Sequence, residues 1–312
     1  MGTVHQLSTG REAVTLGEAA AAYLATLDHP ESAGTRRVYG GTCRALLAAL
    51  GRETALTAVT PAALGEWFTA RWGAATPATW DTNRGALRSL FSYCQAQGWI
   101  ASATDLIGAV ERRKRAPDRS RALSRSDVAA LLDRDDISLR ERTLWRLLYE
   151  SAARSAEVLA LDVADLDMVN RRARVRRKGG AVDVITWRTG AARLLPRLLK
   201  GRKAGPVFLT ERKARVALPP ADLDPETGRA RLSYTQAAGI FTAATKGCHG
   251  GPWTLHQLRH SALTHAAEDG ASTATLLAFS GHTSVASLSR YARVSPDALA
   301  RWQAGRDPAR RR

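Results

Sequence analysis

The segment TLHQLRHSALTHAAEDG, residues 254–270, sets His256, Arg259 and His260 at i, i+3 and i+4. That spacing stacks the three side chains on one helical face, with His265 roughly opposite His256. Thr254 followed by Gln257 is a helix-start signature and Gly270 a stop. A helix N-terminus carries partial positive charge and unpaired N–H groups, so an arginine and two imidazoles there make an anion site that fits a phosphate. Histidines at i and i+4 can also grip zinc, but the protease pattern needs a glutamate beside the first histidine, where this chain has Gln257. An arginine between the two ligands would repel a dication. Packing or solvated residues would be the favoured reading only if this helix stood alone.

It does not stand alone. SGHTSVASLSRY places His282 at 23 residues past Arg259 and Tyr291 nine further on. Upstream, Arg154 lies in SAARSAEVLALDV with Glu157 at i+3, and Lys178 follows 24 residues later. On these residues the chain resembles the tyrosine recombinases of the phage integrase family, over about residues 124–293. The resemblance implies DNA cleavage by Tyr291 as nucleophile, leaving a 3′-phosphotyrosine and a free 5′-hydroxyl. Arg154 and Arg259 would meet the charge on the non-bridging oxygens, which suits permanently protonated, bidentate guanidiniums. Lys178 would protonate the leaving 5′-oxygen, and His256 and His282 would contact the phosphate or carry the tyrosine proton. Glu157 would hold Arg154, and His260 would have a supporting or packing role. The phosphodiester energy is kept in the protein–DNA bond, so the expectation is no metal, no ATP and no cofactor. Three positions depart from the common family pattern without removing a reacting group. Ser280 stands where leucine is usual, Ala152-Ala153 where Gly-Leu is usual, and the hairpin reads Arg-Lys-Gly rather than Gly-Lys-Gly.

These residues need elements to position them. The first third reads as helices at residues 15–27 and 35–50, then two that open Thr-Pro at Thr60 and Thr76, with threonine as cap and proline as first helical residue. In the last of these, Trp80, Leu87, Leu90, Phe91 and Cys94 share one face, and Gly98 supplies the stop. ERRKRAPDRSRALSRSD, residues 111–127, is a basic run broken by Pro117 and reads as a solvated linker, able also to lie on phosphates. Helices follow at Ser124 with Asp127 and at Ser138 with Glu141, each a capping pair. Residues 171–187 read as a hairpin with Lys178 at its tip. Residues 218–233 read as turns between further helices, and a helix is expected from Ser295-Pro296.

The expected fold is therefore mainly α with a small antiparallel β-sheet. The expected layout is a tail (1–14), a helical, SAM-like core-binding domain (15–111), a basic linker (112–123), a catalytic domain (124–304) and a basic tail (305–312). The resemblance implies that the two domains close as a C-shaped clamp on double-stranded DNA, with a homotetramer on two recombination sites and a role open to an accessory DNA-bending or directionality factor.

Composition agrees. The 312 residues carry 46 lysines and arginines against 29 acidic residues, a net charge of +17, and nucleic acid is the commonest polyanion to answer such a balance. An Arg- and Ala-rich genome bias would account for part of it. Three dispersed cysteines, odd in number, argue against a disulfide framework or a cysteine-based zinc site. No apolar leader or bilayer-length apolar run is present, so a cytoplasmic protein with no membrane partner is expected. The rival readings are a type IB topoisomerase using the same chemistry without partner exchange, a catalytically silent DNA-binding protein, and a zinc hydrolase.

Overall fold

Threonine caps and apolar stripes decide the first part of the chain. A computed structural model describes residues 13–29, 32–113, 122–177, 180–282, 284–288, 299–300 and 303–304. The chain divides into two units, residues 1–118 and 119–312. In the first, helix α1 (Leu16–Ala25) opens on Thr15, whose backbone N–H donates to Glu18 Oε2 at 2.8 Å while Glu18 N donates to Thr15 Oγ1 at 3.2 Å. Helices α2 (Ala33–Leu50), α3 (Pro61–Trp72) and α4 (Pro77–Ala96) follow. Thr60 and Thr76 cap the last two, each ahead of a proline that needs no hydrogen-bond acceptor. The expected stripe of α4 is buried as a set: Trp80, Leu87, Leu90, Phe91 and Cys94. Gly98, at φ +71°, ends the run in the left-handed region. A short helix that the sequence reading did not separate, α5 (Ala103–Gly108), is capped by Ser102 and completes the bundle. Phe68 meets the Trp80 ring edge-on at 4.7 Å in its centre.

The second unit is built around helix α7 (Leu139–Ser151), which packs on α9 (Thr189–Leu199) and α11 (Leu255–Glu268). Its Trp145 is fully buried and edge-on to Phe241 of α10 (Tyr234–Ala244), 5.0 Å away. Helix α6 (Arg125–Leu132) leads in, capped by Ser124 as expected, and α8 (Ser155–Leu159) follows α7. Strands β1 (Leu166–Asp167), β2 (Arg172–Arg176) and β3 (Val182–Thr186) form an antiparallel sheet in that order. Along β2 burial alternates, with Ala173 and Val175 inside and three arginines outside, the period-two pattern of a half-buried strand. The hairpin is present; its tip residues 178–179 lie outside the described residues.

One expectation is corrected. Residues 218–233 are not turns alone, because β5 (Arg229–Arg231) pairs antiparallel with β4 (Leu209–Lys213) in a second small sheet. Buried Asp224 causes the reversal: it accepts from Thr227 N at 2.9 Å and from Thr227 Oγ1 at 2.5 Å, and it pairs with Arg202, so the chain turns back and leaves Arg229–Arg231 extended. The first described part of the basic run is held against α4 and the turn before it. Arg113 lies over the Trp80 ring at 3.8 Å and donates to the Ala75 and Gly73 carbonyls. The middle of the run, residues 114–121, and the start of the helix expected from Ser295 lie outside the described residues. Beyond α12 (Thr273–Ser280), residues 299–300 and 303–304 are helical. No described helix is long and apolar enough to cross a membrane.

Thr76 Oγ1 accepts from Thr79 N at 3.3 Å and ends an otherwise unsatisfied first turn. Thr76→Ala is expected to lower stability by about 1 kcal/mol, the usual worth of such a cap, in urea denaturation followed by far-ultraviolet circular dichroism.

Candidate active site

The start of α11 has the geometry that its spacing implies. Thr254 is the cap residue, Gln257 Oε1 accepts from Thr254 N at 2.8 Å, and Gly270 at φ +88° follows the last turn. His256 is exposed on the first turn, whereas Arg259, His260 and His265 are buried. His260 Nδ1 lies 3.5 Å from Thr264 Oγ1, against its own helix.

Arg259 is only 2% exposed, and backbone carbonyls orient it. Its Nη1 donates to the Ala152 carbonyl and its Nη2 to the Ser280 carbonyl at 2.7 Å. Nη2 also lies 3.3 Å from His282 Nε2. An arginine only donates, so Nε2 is the acceptor where this contact is a hydrogen bond. The Ala152 carbonyl can face Arg259 because Ala152 ends α7 in the left-handed region, at φ +50° and ψ +18°. Ser280 closes α12, where its hydroxyl accepts from His282 N at 3.2 Å. The backbone carbonyls of Ala152 and Ser280 thus orient Arg259, and the Ser280 hydroxyl bonds to the His282 backbone.

Arg154 is the cap residue before α8, and Glu157 returns to it twice: Oε2 accepts from Arg154 N at 2.9 Å and Oε1 from Arg154 Nη1 at 2.7 Å. The Arg154 side chain is 40% exposed, so one of the two guanidiniums expected to act alike faces solvent and the other is enclosed. Glu157 Oε2 also accepts from Arg177 Nη1 at 2.8 Å. Arg177, at the end of the hairpin ladder, pairs through Nε with Asp183 at 2.9 Å and reaches the Ser280 carbonyl at 3.4 Å. Its guanidinium lies against Gly281, where a Cβ would collide with it; Gly281 also sits at φ +60°. The structure thus brings together Arg154, Glu157, Arg259 and His282 from the sequence-derived set, with His256 one turn before Arg259 on the same helix. Lys178 and Tyr291 lie outside the described residues. Arg177 was visible in the sequence only as a neighbour of Lys178, and nothing in its spacing signals burial.

Behind the site, His265 Nε2 donates to the Leu123 carbonyl at 3.0 Å, and its Nδ1 accepts from the Tyr149 hydroxyl at 2.7 Å. Ser261 Oγ accepts from Leu123 N at 2.8 Å, so α11 holds Leu123 by both backbone groups. Burial, and then the nearby Arg125, push the His265 pKa below its ordinary value. Among the described residues no group of three or more His, Cys, Asp or Glu side chains could hold a metal ion.

Comparison with known proteins accords with this geometry. The family described as "Phage integrase family" matches residues 121–297. Tyrosine recombinase XerC of Mycobacterium tuberculosis (strain ATCC 25177 / H37Ra) is 32% identical over 289 residues, spanning 88% of this chain and 92% of the relative. Tyrosine recombinase XerC of Mycobacterium sp. (strain JLS) is 31% identical over 308 residues, spanning 92% and 95%. Among solved structures, the Tn1549 transposon integrase in complex with a circular intermediate DNA superposes with a TM-score of 0.67 at 18% identity, covering 94% of this chain and 99% of that one. A lambda integrase tetramer bound to a Holliday junction gives a TM-score of 0.68 at 18% identity, covering 95% and 84%. These distant structures share the fold.

Two outcomes follow from the geometry. Ala152→Gly relieves a left-handed strain of about 1–2 kcal/mol but gives up about 0.5–1 kcal/mol of backbone entropy and about 0.8 kcal/mol from burial of the Ala152 methyl, so thermal denaturation should show a net change of less than about 1 kcal/mol. His265 has a folded pKa below the 6.5 of the unfolded chain. Below that unfolded value the unfolded state takes up a proton that the fold disfavours, so this contribution to stability is present above it and is lost as pH falls. Urea midpoints measured from about pH 7 to about pH 5 should therefore fall more steeply for the unaltered chain than for His265→Gln.

Proposed function

This chain belongs to the phage integrase family and is a site-specific tyrosine recombinase, and we propose that Tyr291 is its nucleophile. The Tyr291 oxygen attacks the scissile phosphorus, and a P–O bond to tyrosine forms as the P–O5′ bond breaks. Lys178 donates a proton to the departing 5′-oxygen, while His256 or His282 receives the tyrosine proton. Arg154 and Arg259 meet the charge on the non-bridging oxygens. The 5′-hydroxyl of another strand then reverses the step, releasing tyrosine, so the bond energy is conserved without ATP or metal.

The observation that supports this reading best is the chain of contacts Arg154–Glu157–Arg177–Ser280 carbonyl–Arg259–His282. It gathers residues from separate elements into one cationic cluster at the start of α11. A phosphate answers both that charge and the N–H groups of the helix start. We assign residues 15–111 to a core-binding domain, 112–123 to a linker and 124–304 to the catalytic domain, with short tails at 1–14 and 305–312. The protein acts in the cytoplasm on double-stranded DNA as a homotetramer over two sites, an arrangement for which the lambda integrase tetramer on a Holliday junction is the precedent.

The test is covalent trapping on a library of nicked duplexes in EDTA, read on denaturing gels. The unaltered chain should form an SDS-resistant adduct and Tyr291→Phe none. Arg154→Ala and Arg259→Ala should slow adduct formation by about 10²–10³-fold, the usual loss when one transition-state donor is removed. DNA binding without any adduct would leave a binding-only protein, and an adduct that survives in Tyr291→Phe would show that Tyr291 is not the nucleophile.

A further inference from the structure

We propose that Arg177 is a positioning residue that fixes the Arg154 and Arg259 guanidiniums relative to each other; this rests on the phosphoryl-transfer reading above. Among the described residues the Arg177 guanidinium bonds to Glu157, Asp183 and the Ser280 carbonyl, and by this proposal it does not meet the DNA. It touches one acceptor used by each of the two arginines. Glu157 receives Arg177 at 2.8 Å through the same Oε2 that accepts from Arg154 N, while Oε1 takes the Arg154 guanidinium. On the other side the Ser280 carbonyl takes Arg177 at 3.4 Å and Arg259 at 2.7 Å.

The placement is built rather than incidental. The Arg177 side chain is 8% exposed and its partner Glu157 6%, while Asp183 holds its Nε from the facing strand. Gly281 leaves the space the guanidinium fills. A surface arginine kept for DNA affinity would need none of these. Only a planar fork can reach Glu157, Asp183 and the Ser280 carbonyl together; an ammonium has the charge without the geometry. Arg177 also immediately precedes Lys178, so the ladder end that carries the proposed general acid is tied to the same two acceptors.

Arg177→Lys keeps the charge and loses the fork, so it separates position from electrostatics. On the duplex trapped by the unaltered chain, the variant should form adduct about 30–100-fold more slowly, the scale expected when reacting groups are displaced by about an ångström, while DNA affinity stays unchanged. A methylphosphonate at the scissile position replaces the charged oxygen the guanidiniums meet. There the loss should shrink to less than about threefold, because there is less for a well-aimed pair to stabilise. Equal losses on the two substrates, or none on either, would overturn the proposal.

Tungstate, a tetrahedral dianion located by its anomalous scattering, reads the pair without DNA. It should bind between Arg154 and Arg259 in crystals of the unaltered chain, and calorimetry should show it bound about fivefold or more weakly by Arg177→Lys. No tungstate there in the unaltered chain, or equal affinity in both, would overturn the proposal. If the unaltered chain binds tungstate but forms no adduct, the recombination reading fails and the positioning result still stands. Should Arg177→Lys not fold, Asp183→Asn loosens Arg177 from its more exposed partner and should shift both readouts in the same direction by a smaller factor; no shift there would count against the proposal.

Discussion

Sharing of the Glu157 carboxylate is the interaction on which the candidate site depends. Three guanidiniums, those of Arg154, Arg177 and Arg259, repel one another in a partly enclosed space, and such repulsion grows as water is excluded. Glu157 and Asp183 return two negative charges, and the Ala152 and Ser280 carbonyls contribute dipoles. Among these groups one positive charge is left over, beside the positive end of α11. The cluster therefore holds together without a bound anion yet still favours one, and it disfavours a divalent cation in the same place.

Backbone conformation supplies what side chains cannot. Ala152 occupies the left-handed region with a Cβ, a conformation that persists only where surrounding structure enforces it. The enforcing contacts are evident: Ala152 is fully buried, its carbonyl is engaged by Arg259, and the cap residue of α8, Arg154, follows two residues on. At the far side, Gly281 is glycine for two reasons, its positive φ and the Arg177 guanidinium lying against it. An arginine before Lys178 and the room beside Gly281 are thus one feature, since a larger residue at 281 and Arg177 in its present place exclude each other.

Much of this was legible in the sequence because the signals are local. Threonine–proline starts, the Trp80–Cys94 stripe and the alternating arms of the hairpin each depend on residues a few positions apart, and the structure has them where the periodicities put them. The spacing of Arg259 and His282 gave their contact indirectly, through the family resemblance. What stayed illegible was long-range. The second sheet depends on Asp224 being buried, which an acidic residue in a turn-rich segment does not announce. The enclosure of Arg259 against the exposure of Arg154 follows from carbonyls at residues 152 and 280, and no pattern in the one-letter string marks a carbonyl's direction. Arg177 was hidden for a related reason: in a run of arginines, only the fold decides which one turns inward.

Phosphoryl transfer makes such supporting residues matter. The transition state asks the protein for little covalent chemistry beyond the nucleophile and a proton donor, so most of the rate must come from charge held in the right place beforehand. A guanidinium on a long flexible stem is poorly suited to that unless its conformational freedom is removed before the substrate arrives. Here that freedom is restricted by acceptors belonging to four separate stretches of the second unit: the end of α7, the body of α8, strand β3 and the end of α12. Because each acceptor belongs to a secondary-structure element or its end, the placement of the guanidiniums depends on how those elements pack. A change in that packing can therefore alter the chemistry without touching any residue that meets DNA.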